Sequence, residues 1–256
     1  MKRRQLGSTP FMVSPLGLGT VKFGRASGVK YPMPVRIPSD LEAAEFLAVA
    51  RDLGINLIDT APAYGNAEER LGKLLRGQRD DWVIVTKAGE EFIGGESRFD
   101  FSPRGIRASV ERSLMRLQTD RVEVLLIHSD GLIEADIVSG GIVTCLNDLK
   151  REGKVLLTGI STKTLDGAMR AVAVCDVVMV TLNPGCTQDL PAIDAARAAG
   201  KGVLIKKAFG SGHLAGSGKS AAACLEFSLG TPGVSSVIIG TTNPDHLREN
   251  VAVAVA

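Results

Sequence analysis

A chain of 256 residues with 30 Lys and Arg against 28 Asp and Glu carries a formal net charge of +2, with 45% apolar and 4% aromatic residues. That balance excludes a dominant electrostatic grip on nucleic acid or an acidic membrane, and so few rings argue against a module that stacks bases or sugars on several of them. Glycine is abundant, at 29 residues with 11 prolines and no collagen-like period, which points to many tight turns between regular elements.

Residues 2–13 read as a short hairpin ahead of a first strand at 16–20, and Ser39 with Glu42 forms a capping pair for a helix over 41–53. A strand at 55–59 precedes a helix at 66–76, where Asn66 and Glu69 form a second capping box and Leu71, Leu74 and Leu75 the apolar stripe. The next strand is 82–86; its helix starts after a loop, with Ser102 as N-cap and Pro103 at the first helical position, and ends at Leu117. The run 122–128 is an unbroken apolar strand, with a helix at 138–151 behind it. Three more pairs come next: 155–160 with 164–174, 177–182 with 190–199, and 203–206 with 219–229. A strand at 234–239 then leads to a last helix opened by Asn243 and Pro244.

Strands that are apolar throughout are buried on both faces, so the sheet is parallel. Eight alternating units in this length fit a closed (β/α)8 TIM barrel better than an open doubly wound sheet, with the hairpin closing the bottom and residues 1–256 forming one domain. Cys145, Cys175, Cys186 and Cys224 contain no Cys-x-x-Cys pair, and His128, His213 and His246 are scattered singly. Reduced thiols are therefore expected, without a metal site or a disulfide framework. Met1 to Arg4 is basic, but the next segment is interrupted by Ser8, Pro10, Ser14 and Pro15 and makes a poor signal peptide. The charge-free stretch 227–244 is broken by Gly230, Pro232, Gly233 and Gly240 and is no membrane helix. The expectation is a soluble, cytoplasmic protein with no nucleic-acid or membrane partner; its oligomeric state is not legible.

In such a barrel the chemistry lies at the C-terminal ends of the strands. The second strand ends at Asp59 with Tyr64 just beyond it, the third at Thr86 and Lys87, and the fourth at His128. A carboxylate, a phenol, an ammonium and an imidazole on one face suggest proton transfer by the phenol. A free tyrosine titrates near pH 10 and is a poor acid at neutrality; a nearby ammonium favours phenolate, and a carboxylate holds that ammonium in place. Taken singly, each of the four is better explained as a cap, a packing residue or a solvated strand end. Their joint occurrence at four barrel-top positions favours function.

The run Gly54-Ile-Asn-Leu-Ile-Asp59-Thr60-Ala61-Pro-Ala-Tyr64-Gly65-Asn-Ala-Glu68-Glu-Arg-Leu-Gly72 resembles the signature of the aldo-keto reductase family. The likeness extends over essentially the whole chain, through Leu16-Gly-Leu-Gly-Thr20, Val85-Thr-Lys87, Leu126-Ile-His128, Gly159-Ile-Ser161 and the segment from Ile239 to Asn250. The resemblance implies reversible hydride transfer between NADP(H), with NAD(H) as the other candidate, and a small-molecule carbonyl or alcohol. By the same resemblance Tyr64 donates the proton, Lys87 depresses its pKa, Asp59 pairs with Lys87, and His128 orients the carbonyl or relays a proton. It also implies a cofactor site drawn from Gly19, Thr20, Asp59, Ser161, Thr162, Lys206, Phe209, Ser211, Gly212, Gly240, Thr241, Thr242, His246, Glu249 and Asn250. Phe209, Ser211 and Gly212 match positions that wrap the pyrophosphate, and residues 240–243 open the last helix, whose free N–H groups attract phosphate.

Several positions depart from the family pattern. The Ser-Asn pair that usually anchors the nicotinamide amide is Ser161-Thr162, and the sixth-strand Gln beside it is Met179. The aromatic residue that commonly stacks on the nicotinamide ring is Lys206. Where a basic residue often clasps the 2′-phosphate stand Gly240, Thr242 and His246, with Arg248 close by. The stretch from Gly210 to Ser220 ends like a P-loop in Gly218-Lys219-Ser220, but such a loop needs glycine where His213 stands. That spacing disfavours a nucleotide phosphotransferase. On the substrate side, Val21 takes a place often held by Trp, and the candidate wall residues are Lys22, Phe23, Tyr31, Phe92 and Phe99, all read as loop residues. Only six residues come after Asn250, so the long C-terminal loop of many relatives is not expected, and the pocket is expected to be open and weakly selective. A different class of function, a nucleotide-binding barrel acting as a sensor with little turnover, is the alternative.

Overall fold

In the computed structural model, residues 1–29, 31–137, 140–212 and 220–255 are described. Strands β1 (Leu16–Gly19), β2 (Leu57–Asp59), β3 (Val83–Ala88), β4 (Val122–His128), β5 (Val155–Ser161), β6 (Val177–Thr181), β7 (Gly202–Lys206) and β8 (Ser236–Ile239) pair in chain order. Every pairing is parallel, and β8 closes on β1, so the sheet is the expected eight-stranded barrel. Around it lie α1 (Asp40–Asp52), α2 (Ala67–Leu74), α3 (Pro103–Leu117), α4 (Ile142–Arg151), α5 (Leu165–Val174), α6 (Leu190–Ala198), α7 (Ala221–Gly230) and α8 (Pro244–Val255). The expected start of α4 at 138 and of α7 at 219 falls on residues outside those described.

The alternation of side chains along each strand sorts the apolar residues into two cores. Leu57, Val83, Val85, Val124, Leu126, Leu157, Val177, Met179 and Leu204 fill the barrel interior. Ile58, Ile84, Leu125, Ile127, Val178, Val180, Val203 and Ile205 face outward into the helix layer. The N-terminal hairpin, Arg4–Gln5 against Met12–Val13, plugs the bottom with Leu6 and Val13. Asn56 ties this hairpin down: its side chain accepts from Ser14 N–H at 2.7 Å and donates to Met12 O at 2.9 Å. The Asn56 N–H is taken by Ser14 Oγ at 3.1 Å while its carbonyl accepts from Val83 N–H at 2.7 Å, and β2 begins at Leu57 rather than at the expected 55.

Of the two expected capping boxes, only Ser39–Glu42 forms both of its bonds. Asn66 caps nothing with its side chain, because its backbone (φ −93°, ψ 17°) lies outside the extended region that an N-cap needs. An antiparallel hairpin after β3, Glu90–Ile93 with Glu96–Phe99, was not expected. Its turn residues Gly94 and Gly95 both have positive φ, 65° and 89°, as a two-residue type I′ turn requires.

Tyr64 sits not on a strand but at the end of a single 3-10 turn, Pro62–Tyr64. Gly65, at φ 64°, lets the chain leave that turn, and a Cβ there would lie 2.1 Å from Gly24 O. Gly65→Ala therefore meets both a left-handed backbone and an immovable carbonyl. We expect a loss of about 1–3 kcal/mol in urea unfolding, with the ends of the flanking turns, and hence Tyr64, displaced.

Candidate active site

The parity that fills the barrel also aims the polar strand ends. Counting in steps of two from the interior residues Leu57, Val85, Leu126, Leu157 and Leu204 reaches Asp59, Lys87, His128, Ser161 and Lys206. All five therefore belong to the layer above the apolar filling. The sequence-predicted catalytic residues are brought together here.

Lys87 and Asp59 are almost fully buried, with side chains 1% and 5% exposed, and their Nζ and Oδ1 are 2.6 Å apart. The same Nζ donates to Thr60 O at 2.9 Å. Asp59 is fixed from behind by Thr20, whose N–H and hydroxyl both donate to Asp59 O at 3.0 Å. Thr20 thus supports the carboxylate's backbone and is itself fully buried.

Tyr64 is half-buried. Its ring lies under Lys87 Nζ, 4.7 Å from the ring centroid, and edge-on to His128 with centroids 6.1 Å apart. The resemblance implied that Lys87 lowers the phenol's pKa. In this arrangement the shift runs the other way: burial, then Asp59, Tyr31 and Glu90, push Tyr64 well above the ordinary phenol value against the opposing pull of Arg25. The physical reason is first burial of the phenol, which penalises the phenolate, and then the negative charge of Asp59 nearby.

His128 Nδ1 lies 2.8 Å from Glu90 Oε2, without the alignment of an N–H hydrogen bond. Burial lowers the imidazole pKa, Glu90 opposes that, and Lys87 and Lys206 reinforce it, so His128 is neutral at pH 7. Glu90 is raised by burial, but His128, Ser97 and Arg25 outweigh that and bring it down to about 2. Neither Glu90 nor Arg25 was picked out from the sequence; the Gly94-Gly95 turn was the signal for the hairpin that carries Glu90.

Opposite this cluster, Lys206 Nζ reaches from the end of β7 across the end of β6, donating to Ser161 Oγ at 2.9 Å and Thr162 O at 2.5 Å. Thr162 is buried; its N–H donates to Met179 O at 3.0 Å and its hydroxyl points at the same carbonyl at 3.5 Å. Its side chain thus faces a neighbouring strand rather than a ligand. Met179 is buried in the barrel filling.

At the rim, Gly212 and Gly240 lie beneath the loop after β1. A Cβ on Gly212 would come within 3.2 Å of Pro32, and one on Gly240 within 3.1 Å of the Tyr31 hydroxyl. Gly19 adjoins Gly240 across the β8–β1 pair. A cavity of about 370 Å³ opens here among Lys22, Tyr31, Pro32, Arg36, Gly212 and Thr242. Among the described residues Lys22 is its one cation without an acidic partner, since Arg36 is held by both oxygens of Glu42 at 2.7 and 3.1 Å; with Gly212 leaving room beneath the loop, an anionic group such as the pyrophosphate end of a dinucleotide fits beside Lys22. Phe209 and Ser211 lie on the same rim, half-buried and partly exposed, with Ser211 at φ 59°. At the start of α8, Thr241 and Thr242 are partly exposed, His246 and Glu249 exposed, and Asn250 buried. Arg248 pairs with Asp245 at 3.1 Å. The P-loop-like run from His213 to Lys219 lies outside the described residues, and Ser220 caps α7.

Among the wall candidates, Phe23 is withdrawn: it is 1% exposed and packs edge-on against Phe46 in the helix layer. Lys22 stacks over Tyr31, Arg25 over Phe92, and Phe99 against Phe101. A wider concavity at the opposite end, among Arg3, Phe11, Trp82 and Arg121, has none of this chemistry. Among the described residues no group of His, Cys, Asp and Glu is placed to hold a metal, and no helix is long and apolar enough to cross a membrane.

Comparison with known proteins agrees with this geometry. The model of the Aldo/keto reductase family matches residues 15–220. A solved chain from Pseudomonas aeruginosa, assigned to the aldo-keto reductases, is 52% identical with a TM-score of 0.89, covering 98% of this chain and 94% of that one. L-galactose dehydrogenase of Arabidopsis thaliana is 29% identical, over 97% of this chain and 86% of its own length. D-threo-aldose 1-dehydrogenase of a Pseudomonas species is 30% identical, over 86% of this chain and 85% of its own.

Removing one member of the buried pair strands the other. Lys87→Met is expected to lose about 3–5 kcal/mol in chemical denaturation, while adding Asp59→Asn recovers part of that loss. Strictly additive costs in the double variant would mean that the two charges do not support each other.

Proposed function

The chain belongs to the aldo/keto reductase family, whose members use a nicotinamide cofactor on small carbonyl compounds, and from that premise we propose that it transfers hydride between NADP(H) and an aldehyde or ketone, with Tyr64 as the general acid. The observation that carries this reading is the convergence of Asp59, Lys87, Tyr64 and His128 in the top layer of the barrel, with Lys87 Nζ at once 2.6 Å from Asp59 and over the Tyr64 ring. When bound, the cofactor supplies or accepts the hydride.

The chain's own residues do the rest. His128, neutral and edge-on to Tyr64, orients the carbonyl oxygen beside the phenol. Tyr64 holds its proton until that oxygen gains charge, then gives it up; the ammonium of Lys87 stabilises the phenolate that remains, and Asp59 keeps the ammonium in place. Ser161 and Lys206 lie on the nicotinamide side, and Gly19, Phe209, Ser211, Gly212, Gly240, Thr241 and Thr242 on the pyrophosphate side. At the adenosine end Arg248 is the cation assigned to the 2′-phosphate, with His246, Glu249 and Asn250 around it. A tighter dissociation constant for NADPH than for NADH is expected, and equal or reversed affinities would assign NAD(H) instead.

The names of the two relatives favour a second direction for the same chemistry, oxidation of an aldose. In that direction Tyr64 must act as the phenolate. Because its pKa is raised by burial and by Asp59, reduction at saturating cofactor should stay level from neutral into moderately alkaline pH, while oxidation should climb over the same interval. A reduction rate that falls away just above neutrality would contradict the protonated phenol. Tyr64→Phe should lower aldehyde-dependent consumption of NADPH by about 10²–10⁴-fold and leave NADPH binding, followed by fluorescence titration, nearly unchanged. Full activity in Tyr64→Phe would refute the mechanism, and tight binding with no turnover in the parent would favour the sensor alternative.

A further inference from the structure

The barrel top has two sides. Asp59, Tyr64, Lys87 and His128 come from β2, β3, β4 and the turn after β2, and they surround the atom that is protonated. The hydride donor must approach the reacting carbon from elsewhere, and the next polar strand ends around the barrel after His128 are Ser161 and Lys206, from β5 and β7. His128 and Ser161 are register partners on adjoining strands, and Lys206 is bonded to Ser161, so this second side directly adjoins the first. Lys206 is not a solvated strand end. Its Nζ is drawn inward over β6 and held by two acceptors, Ser161 Oγ and Thr162 O, leaving the third of its N–H groups without an acceptor among the described residues. No carboxylate among those residues pairs with it, in contrast to Lys87.

A nicotinamide ring is neutral when reduced and carries a positive charge when oxidised. An unpaired ammonium in the layer where the ring is held acts differently on the two forms, whereas an aromatic residue in that place would accommodate both. We propose that Lys206 reads the charge of the cofactor ring, so that this protein holds the reduced cofactor more tightly than the oxidised one. The inference rests on the functional reading above, because it takes Ser161 and Lys206 as the nicotinamide side. The same charge also opposes the pyridinium formed during hydride transfer, so the benefit lies in loading reduced cofactor and expelling oxidised cofactor rather than in the transfer itself.

The groups facing Lys206 set how this selectivity varies with pH. Burial lowers its pKa to about 7, Lys207 next to it in the chain and Lys87 on β3 add to that, and Glu134 after β4 and Asp189 before α6 oppose it. His128 on β4 faces the same space and is itself held neutral. As pH rises through that value Lys206 loses its charge, and the penalty on the oxidised ring goes with it.

The test is equilibrium binding of the oxidised and reduced cofactors to the full chain, without substrate, by calorimetry or protein fluorescence. At about pH 6 the parent should bind the reduced form about tenfold or more tightly than the oxidised form, and the ratio should shrink as pH rises past neutrality. Lys206→Met should bring the two affinities close together at every pH, chiefly by strengthening binding of the oxidised form. Lys206→Arg should restore the selectivity and remove its pH dependence, because a guanidinium does not lose its proton in this range. An unchanged ratio in a folded Lys206→Met protein would overturn the proposal. If that variant does not fold, a parent ratio that is flat with pH overturns it equally. Failure of the parent to bind either form would instead sink the functional reading on which the proposal rests.

Discussion

Two opposite charges buried 2.6 Å apart above an apolar barrel filling, Lys87 on β3 and Asp59 on β2, are the fixed point around which the site is arranged. Neither charge is tolerable there alone, since an isolated ion in such a place costs several kcal/mol, on the order of what a whole domain has to spare. The pair ties the ends of adjacent strands together, anchors Thr60 through its carbonyl, and places an ammonium over the ring of Tyr64. At the ring, burial and then the charge of Asp59 raise the pKa of the phenol. The phenol therefore keeps its proton in the resting protein, and in the proposed reaction the ammonium acts when negative charge develops on the tyrosine oxygen.

The remaining charges are arranged around that pair. Glu90, carried in by the hairpin after β3, lies against His128 and is in turn faced by Arg25 from the loop after β1. Lys206 stands apart from this chain of compensation, bonded to a hydroxyl and a carbonyl and, among the described residues, to no acid. The contrast between the two lysines is one of partners rather than position. Both lie at the top of a barrel strand and both point inward, yet one is paired with a carboxylate and the other is bonded to two neutral acceptors.

Much of this was legible in the sequence. Strand ends at Asp59, Lys87 and His128 could be read from unbroken apolar runs, and a period of two then decides which residues face the barrel axis. Other features were hidden. The capping box read at Asn66 and Glu69 failed because the preceding 3-10 turn delivers Asn66 in the wrong backbone conformation. Phe23 resembled a loop residue at the pocket wall, but it lies on a single helical turn, Val21–Gly24, with its ring in the core against Phe46. Thr162 looked like a ligand-binding neighbour of Ser161, yet its hydroxyl is directed at the Met179 carbonyl.

By itself the sequence determined the eight-fold alternation, the closed barrel and the identity of the groups at its mouth, because side-chain direction along a strand is a local property of the backbone. Only the tertiary structure decided the electrostatic character of those groups: that Lys87 is spent on Asp59, that Glu90 and Arg25 reach the neighbourhood of His128 from separate loops, and that Lys206 crosses β6 to Ser161 rather than to an acid. The physical reason is that a group's charge and proton affinity depend on every neighbour within several ångströms, and in a closed barrel those neighbours come from segments far apart in the chain.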